Sequence, residues 1–457
     1  MKLGAGEIIA RVLAFVGSVY LARALGAEMY GIVGVALAVL YYFVRLTDAG
    51  LDLVGMRELA TDRPNATRVV HSVLGFRVAL SLVLAGLLAA GALYWLPSPD
   101  GEVLAGFALT LIPVGASTRF VHLGFERGGY AATARVLGEA VILLLLVIVV
   151  RSPDDVLRVP LVQLSGLGVA AVVLAWWMRG YGIPVRLKMD WAVLMPLLRR
   201  SVHVVAAALL GLIAYNSDLI ILRFTHGAEL AGYYAAAYMP LSLALNLGIA
   251  YRHSILPALS RLSVAPERQA ALYHTGVAQV FAVVTPTAIG GMLLAPAVIA
   301  FAFGAEYEPA GPILQLLIWA IPLAQLREPA IAAILAARRE HRLLQQNAIG
   351  TAVNLSLNFA LIPRYGMFGA AIATVATEVV RLALALWFAR KEGFLLTRAG
   401  RFWKVIFASA VMSAVILALR SAPFPISLAA AAVSYVLALY LVGGITFRRR
   451  ELPALTV

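Results

Sequence analysis

Ionisable side chains inside long apolar segments are the residues of this sequence best suited to chemistry. Glu7 and Arg11 lie four residues apart, which places them on one helix face with the acid first, the favourable order. A charge at the centre of a bilayer costs about 2.5–3.5 kcal/mol on the lenient insertion scale, so it faces a partner or a water-filled cavity. We consider two interpretations: a self-neutralising structural pair, or a switchable pair where a substrate or coupling ion competes for one partner.

Further arginines give the first four apolar segments a cationic surplus. Arg77 lies about 12 Å deep in its segment. Arg45 and Arg119 lie near segment ends, where snorkelling to lipid headgroups is the alternative explanation. Four arginines, these three and Arg11, therefore lie in the first four segments, against the single acid Glu7. Asp48 lies at the edge of the second segment. A cavity for drug-like cations should be acidic, whereas a phosphate-bearing headgroup favours arginines, whose planar fork binds phosphate oxygens.

Charges in the second half of the chain are more nearly balanced. Glu378 and Arg381 lie three residues apart, which predicts that they pair with each other. Arg327 and Glu328 are adjacent and therefore point about 100° apart on a helix. At least one of these two side chains must find a partner elsewhere.

Polar residues in two later segments suggest ion and sugar contacts. Asp218 has no basic residue one turn before it, so it is a candidate proton or cation site, and pairing with a basic group on another helix is the alternative. Asn347, Asn354 and Asn358 form a polar stripe on one segment. Such a stripe fits contacts between helices as well as a sugar-binding face.

The elements that position these residues are about fourteen apolar segments. A helix rises 1.5 Å per residue, so crossing ~30 Å of hydrocarbon takes about 20 apolar residues. With 62% hydrophobic residues, the chain is predicted to be an all-α integral membrane protein with very little outside the bilayer. The predicted spans are 4–24, 29–47, 69–95, 103–122, 134–150, 158–178, 201–222, 230–251, 273–302, 311–336, 345–362, 365–389, 403–419 and 424–447.

The distribution of basic residues predicts the orientation of these spans. If the N-terminus is cytoplasmic, 25 of the 37 basic residues lie on the cytoplasmic side and six on the opposite side. This asymmetry follows the positive-inside rule. We therefore expect a multi-pass protein of the cytoplasmic (inner) membrane with both termini cytoplasmic. The net charge of +14 then needs no nucleic-acid partner, and the first apolar segment is too long for a cleavable secretion signal.

A short repeat indicates two related halves. Gly26–Gly31 opens the second span and Gly227–Gly232 opens the eighth, 201 residues later. Six spans per half is an even number, so the halves share one orientation and form two pseudo-symmetric six-helix lobes. We predict an N-lobe at 1–178, a cytoplasmic amphipathic linker at 179–200, a C-lobe at 201–392 and two additional C-terminal helices at 393–457.

Enzymatic and metal-binding motifs are missing from the sequence. There is no GxxxxGK[ST] phosphate loop, no HExxH motif and no cysteine. Membrane-bound glycosyltransferases need catalytic groups on sizeable loops, and the outer loops predicted here are only a handful of residues long. The paired carboxylates Asp154 and Asp155 are flanked by arginines and read as a solvated turn. A transporter is favoured over an enzyme, and no metal site is expected.

Six short motifs are distributed along the chain. They are Leu21–Gly31 (LARALGAEMYG), Leu46–Leu51 (LTDAGL), Ser217–Leu222 (SDLIIL), Ala231–Ala236 (AGYYAA), Phe303–Ala310 (FGAEYEPA) and Asn358–Ala371 (NFALIPRYGMFGAA). These motifs resemble the Wzx-type polysaccharide and O-antigen flippases of the multidrug/oligosaccharidyl-lipid/polysaccharide exporter (MOP) superfamily. The resemblance runs from the N-terminus to about residue 390, and its most specific motif is the last one in the chain.

This resemblance implies a fold, a substrate and an energy source. The implied fold is MATE/MOP-like, with two helical lobes and an alternating-access cavity between them. The substrate is an undecaprenyl-diphosphate-linked oligosaccharide moved from the cytoplasmic to the outer leaflet, driven by an ion gradient. The related lipid II flippases also place arginines in the first, second and eighth spans, which Arg11, Arg45 and Arg252 would match.

We therefore expect a lipid-linked oligosaccharide flippase without a cofactor, coupled to H⁺ or Na⁺. Its partners would be the lipid-linked glycan, a polysaccharide polymerase and glycosyltransferases. A MOP-fold multidrug or small-solute antiporter and a membrane-embedded glycosyl- or phosphotransferase are the alternatives. The expected site comprises a diphosphate clamp, ion-coupling groups and sugar contacts: Arg11, Arg45, Arg77, Arg119 and Arg252; Glu7 and Asp218; and Asn347, Asn354 and Asn358.

Overall fold

Helices dominate the protein, as the apolar segments predict. The computed structural model describes residues 2–395, 402–446 and 454–455. The helices of the first part are α1 Lys2–Asp48, α2 Leu51–Thr61, α3 Ala66–Trp95, α4 Asp100–Ala108, α5 Leu111–Gly115, α6 Arg119–Gly124, α7 Gly128–Val149, α8 Val159–Met178 and α9 Trp191–His226. Those of the second part are α10 Ala228–Arg261, α11 Pro266–Phe303, α12 Ala310–Leu317, α13 Ala320–Ala336, α14 Glu340–Lys391, α15 Phe402–Ala418 and α16 Phe424–Leu441.

Short 3₁₀ turns and one small β-ladder complete the described secondary structure. The 3₁₀ turns are Pro153–Arg158, Arg179–Tyr181, Leu262–Val264 and Ala305–Tyr307. Strands β1 (Ile445–Thr446) and β2 (Ala454–Leu455) pair antiparallel. The last predicted span was too long: α16 ends at Leu441 because Gly443, with φ of 67°, adopts the left-handed conformation that ends helices.

Every other predicted span is mostly helical, although 103–122 is divided among α4, α5 and α6 by turns at 109–110 and 116–118. The all-α integral membrane class is confirmed. Ten helical stretches of the described chain are long and apolar enough to cross a membrane. Two of them, Gly4–Thr61 and Glu340–Lys391, contain 58 and 52 residues, far more than the ~20 that one crossing needs. Each contains a glycine with non-helical backbone angles, Gly26 and Gly366, which divides it into two predicted spans.

The chain forms two compact units, residues 1–232 and 233–457. In the first unit, a core cluster joins Leu51 and Leu59 of α2, Val70 of α3 and Phe120 of α6. In the second, Tyr273 of α11 packs with residues 330–334 of α13 and with the C-terminal part of α14. The predicted lobe boundaries, with a linker at 179–200, stay a prediction.

The last part of the predicted amphipathic linker, residues 191–200, is continuous with the helix that follows it. It forms the first turns of α9, where the Asp190 side chain caps the helix by accepting a hydrogen bond from Ala192 N at 3.0 Å. Leu194 and Leu197 are buried in the core of the first unit. The Arg68 guanidinium of α3 lies 2.6 Å from the carboxylate of this capping residue, Asp190, so the start of α9 is anchored to α3.

The two copies of the repeat adopt the same backbone conformation and pack against each other. Gly26 has φ and ψ of 72° and 171°, and Gly227 has 95° and 176°. A Cβ on Gly31 would lie 2.0 Å from the Ala228 carbonyl oxygen, and one on Gly232 would lie 1.9 Å from the Ala27 carbonyl oxygen. The contact is therefore reciprocal, as a local two-fold relation between the copies requires.

Candidate functional site

The site of the first unit begins at a tight turn between α1 and α2. Gly50 has φ of 69°, and a Cβ there would lie 3.0 Å from Ser201 of α9, so the position requires glycine on both counts. The turn places Asp48 and Asp52 one helical turn apart, with the Asp52 backbone N–H donating to Asp48 Oδ1 at 3.0 Å. Two carboxylates therefore lie together at the end of the second predicted span.

Arg77 of α3 is buried against this turn. Its side chain is 3% exposed, with Nη1 3.2 Å from Asp52 Oδ1 and Nη2 3.8 Å from Asp48 Oδ1. Nη2 also donates to the Val114 carbonyl at 3.0 Å, and the guanidinium lies over the Phe120 ring. This set of contacts fixes Arg77 in place, so the geometry makes it an anchor of the site.

Arg119 connects the aspartates to the start of α1. Its Nη1 lies 3.4 Å from Asp52 Oδ2, and its Nη2 lies 3.6 Å from Glu7 Oε1. Glu7 in turn pairs with Arg135 of α7 at 2.8 Å. The predicted Glu7–Arg11 pair is wrong: among the described residues Arg11 forms no ion pair, because Arg135 and Arg119 occupy the Glu7 carboxylate.

Two cavities adjoin this chain of charges. One, of about 200 Å³, extends from the turn toward Pro113 and the apolar wall of α8; the other, of about 320 Å³, extends toward Met56 and α9. Arg45, Asp48, Asp52 and Arg119 line both. Arg45 is exposed and forms no ion pair within the described part of the chain, and 40% of the Arg119 side chain is exposed. Arg77 also lines the first cavity but is 3% exposed, so Arg45 and Arg119 are the two accessible cations shared by both cavities.

The positive surplus of this site is smaller than the sequence suggested. The structure adds two acids, Asp52 and Glu139, and one base, Arg135, to the predicted set. Without Arg11, which contacts none of these groups in the described structure, the cluster holds four arginines and four acids: Arg45, Arg77, Arg119 and Arg135 with Glu7, Asp48, Asp52 and Glu139. Arg135 and Glu139 could have been found from the sequence, because residues four apart share a helix face. Asp52 follows a turn, and no spacing in the sequence indicates its partners.

A second buried network occupies the other unit. Glu378 receives Arg381 at 3.0 Å, which confirms the predicted pair, and also Arg327 at 2.7 Å. Glu328 pairs with Arg252 at 3.0 Å. Arg327 and Glu328 thus find their main partners on other helices, as their adjacency required. Arg252, a predicted clamp residue, is directly neutralised by Glu328.

The remaining predicted residues lie in separate places. Asp218 of α9 is buried, and its Oδ1 accepts a hydrogen bond from Leu219 N at 2.8 Å. In α14, Asn358 Nδ2 donates to Asn354 Oδ1 at 3.0 Å, and Asn354 Nδ2 donates to Thr377 Oγ1 at 3.3 Å. Both asparagines are buried, which favours contacts between the two arms of α14, whereas Asn347 is exposed.

Comparison with known families and curated proteins places the chain among membrane proteins. Residues 2–263, more than half of the chain, match the family model described as polysaccharide biosynthesis protein. Over 184 residues the chain is 25% identical to an uncharacterized membrane protein of Methanocaldococcus jannaschii. That match covers 39% of this chain and 36% of the relative, so the chain spans about a third of the relative's length.

Solved transporter structures share the fold over most of the chain. The lipid II flippase MurJ, in an inward closed conformation, has a TM-score of 0.78 at 14% identity, covering 96% of this chain and 98% of that one. An inward-facing multidrug resistance MATE family transporter of the MOP superfamily has a TM-score of 0.68 at 15% identity, covering 88% of this chain and 100% of that one. A MOP superfamily transporter from Pyrococcus furiosus, described as having a binding pocket of reverse polarity, has a TM-score of 0.58 at 15% identity, covering 87% of this chain and 95% of that one. These matches confirm the MATE/MOP-like fold.

Proposed function

Because the chain belongs to the family of polysaccharide biosynthesis proteins, we propose that it translocates an undecaprenyl-diphosphate-linked oligosaccharide from the cytoplasmic to the outer leaflet. The observation that carries this proposal is the pair of cations, Arg45 and Arg119, presented to two adjoining cavities. A diphosphate offers several oxygen acceptors, and a guanidinium fork binds such oxygens through two parallel hydrogen bonds. Arg45 is the primary ligand in this proposal because no carboxylate of the described chain pairs with it.

The buried partners of these cations position them. Arg77 holds Asp48 and Asp52, and Asp52 holds one side of Arg119. An incoming diphosphate competes with Asp52 and Glu7 for the Arg119 guanidinium. Arg11, half-buried and in no ion pair among the described residues, is a further cation of α1 that contacts the substrate in this proposal.

Ion coupling uses a carboxylate that substrate binding affects. Glu7 fits this role because it shares Arg119 with Asp52, so protonation or Na⁺ binding at Glu7 releases one contact of that arginine. Asp218 is the second candidate, buried in α9. Arg252 becomes a substrate ligand only in a state where it leaves Glu328. Asn347, which is exposed, is the asparagine of α14 most available to a sugar.

The proposed cellular setting follows from this substrate. The protein works in the cytoplasmic membrane with both termini in the cytoplasm. Glycosyltransferases that assemble the glycan supply the substrate, and a polysaccharide polymerase on the outer side consumes it.

A MOP-fold multidrug or small-solute antiporter is the second candidate function. The MATE structures that share the fold support it. The cavity residues disfavour it, because an exposed arginine that forms no ion pair among the described residues repels the cations that a drug exporter must bind. A glycosyl- or phosphotransferase is the third candidate, and the missing catalytic motifs disfavour it.

Surface polysaccharide in cells that depend on this protein tests the proposal. Arg45→Lys keeps the charge and loses the fork, so we expect a large loss of polysaccharide, and Arg45→Ala should lose nearly all of it. Arg57→Ala is the matched control, because Arg57 is an exposed arginine of α2 that lines neither cavity. All variants are compared at equal protein levels in the membrane.

The two functions separate in a second readout. Export of a lipophilic cation is measured in the same cells. Loss of polysaccharide with no cation export supports the flippase. Cation export that Arg45→Ala leaves intact, with polysaccharide unchanged, would contradict both the substrate and the assigned role of Arg45.

A further inference from the structure

A groove in the second unit lies between the two arms of α14, away from the charges described above. The helix reverses at Gly366, so residues near its start lie beside residues near its end. The cavity there has a volume of about 530 Å³. Its lining consists of Arg342, Gln345, Ala348 and Ile349 from the first arm and Leu384, Trp387, Phe388 and Lys391 from the second.

Cations surround the mouth of this groove. Lys391 is exposed, and its Nζ lies 3.6 Å from the centroid of the exposed Trp387 ring. Arg342 lies over the Phe388 ring and donates to the Phe388 carbonyl at 3.1 Å. The two helix ends, residues 338–342 and 390–392, together carry five arginine or lysine residues against two glutamates.

One acid already contacts part of this charge. Glu392 lies 2.6 Å from Arg342 and 3.4 Å from Arg339. Lys391 has no ion pair among the described residues, so its charge is available to a ligand at the groove. A net positive charge therefore remains at the mouth after the internal pairs are counted.

The rest of the groove is apolar and continues toward the middle of the helix. Ala348, Ile349 and Leu384 form its wall, and Ile349 is exposed. Tryptophan beside lysine is typical of the membrane–water interface, where the indole lies at headgroup level. The groove thus offers a cation for a phosphate at one end and hydrocarbon contacts at the other.

We propose that this groove binds one anionic phospholipid of the cytoplasmic leaflet. The phosphate lies against Lys391, with Gln345 and the Arg342 edge as neighbouring donors, and an acyl chain follows Ile349 and Leu384. Charge complementarity selects the headgroup, and the apolar wall selects a lipid over a free anion. The lipid stays bound to the second unit as a structural lipid and is distinct from the translocated substrate.

The test measures lipid binding to the purified full-length protein by native mass spectrometry. Phosphatidylglycerol, phosphatidylcholine and inorganic phosphate are titrated separately. We expect one tightly bound phosphatidylglycerol per chain, no tight phosphatidylcholine, and no competition from millimolar phosphate. Lys391→Ala should weaken phosphatidylglycerol binding about fivefold, the equivalent of the ~1 kcal/mol that one basic residue contributes near an anionic lipid surface.

Arg390→Ala is the matched control, because it removes the same charge one residue away, outside the groove lining. It should change binding less than twofold, and thermal unfolding should show that both variants are folded. Equal binding of phosphatidylcholine would overturn the proposal. Displacement by inorganic phosphate, or equal effects of Arg390→Ala and Lys391→Ala, would also overturn it.

Discussion

Removing the Arg77 side chain should destabilise the first unit without being a direct test of substrate binding. Arg77 is 3% exposed and holds Asp52 at 3.2 Å, Asp48 at 3.8 Å and the Val114 carbonyl at 3.0 Å. Losing one partner of a buried ion pair costs about 3–5 kcal/mol, because the other charge stays buried. Asp52 keeps its contact with Arg119 at 3.4 Å. The loss of unfolding free energy in Arg77→Met should therefore lie near the lower end of that range, about 3 kcal/mol.

Equilibrium unfolding in mixed micelles measures this cost. Arg45→Met is the control, because Arg45 is exposed and has no ion pair in the described chain; its free energy of unfolding should stay within about 0.5 kcal/mol of wild type. The double variant Arg77→Met with Asp52→Asn removes one charge from each side of the pair. Its free energy of unfolding should be about 1 kcal/mol or more above that of Arg77→Met alone. If Arg77→Met unfolds like wild type and yet abolishes transport, Arg77 is a substrate ligand and the anchoring argument is wrong.

Three further predictions concern other parts of the chain. Asp218→Asn should stop ion-driven accumulation of flipped substrate while the protein remains folded and inserted. Transport that does not depend on the ion gradient, in both wild type and the variant, would exclude ion coupling at Asp218. Gly31→Ala would place a Cβ 2.0 Å from a backbone oxygen and should cost about 1–3 kcal/mol of unfolding free energy, whereas Gly86→Ala, where nothing of the described chain lies within 4 Å, should cost much less. The hydrogen bond from Arg68 lowers the pKa of Asp190. Asp190→Asn should therefore be less stable than wild type at neutral pH, and this difference should vanish as the pH falls through the lowered pKa. Thermal unfolding of both proteins across pH measures the difference.

The spans were predictable because hydropathy is a local property. Continuous apolar runs located the fourteen segments, and Gly26 and Gly366 lie where the sequence had to separate two of them. The pair of Glu378 with Arg381 was likewise predictable, since residues three apart meet on a helix. Only the last segment failed, because the consecutive glycines 443 and 444 end its helix early.

Tertiary contacts account for what the sequence did not predict. A helical pair four residues apart is worth only about 0.2–0.5 kcal/mol, so Glu7 contacts Arg135 and Arg119, which other helices bring to it, in place of Arg11. Asp52 was missed because it follows the Gly50 turn, outside any predicted span. Side-chain partners between distant segments depend on helix packing, which composition and spacing do not encode.

Translocation in proteoliposomes tests the central claim most directly. A fluorescent polyprenyl-diphosphate oligosaccharide is placed in both leaflets, and its protection from a membrane-impermeant quencher is followed with an imposed ion gradient. Wild type and Arg57→Ala should move the lipid-linked glycan, Arg45→Lys should be much slower, and Arg45→Ala should match protein-free vesicles. Wild-type protein that leaves the glycan in place while exporting a lipophilic cation, or Arg45→Ala that flips the glycan at the wild-type rate, would contradict the account.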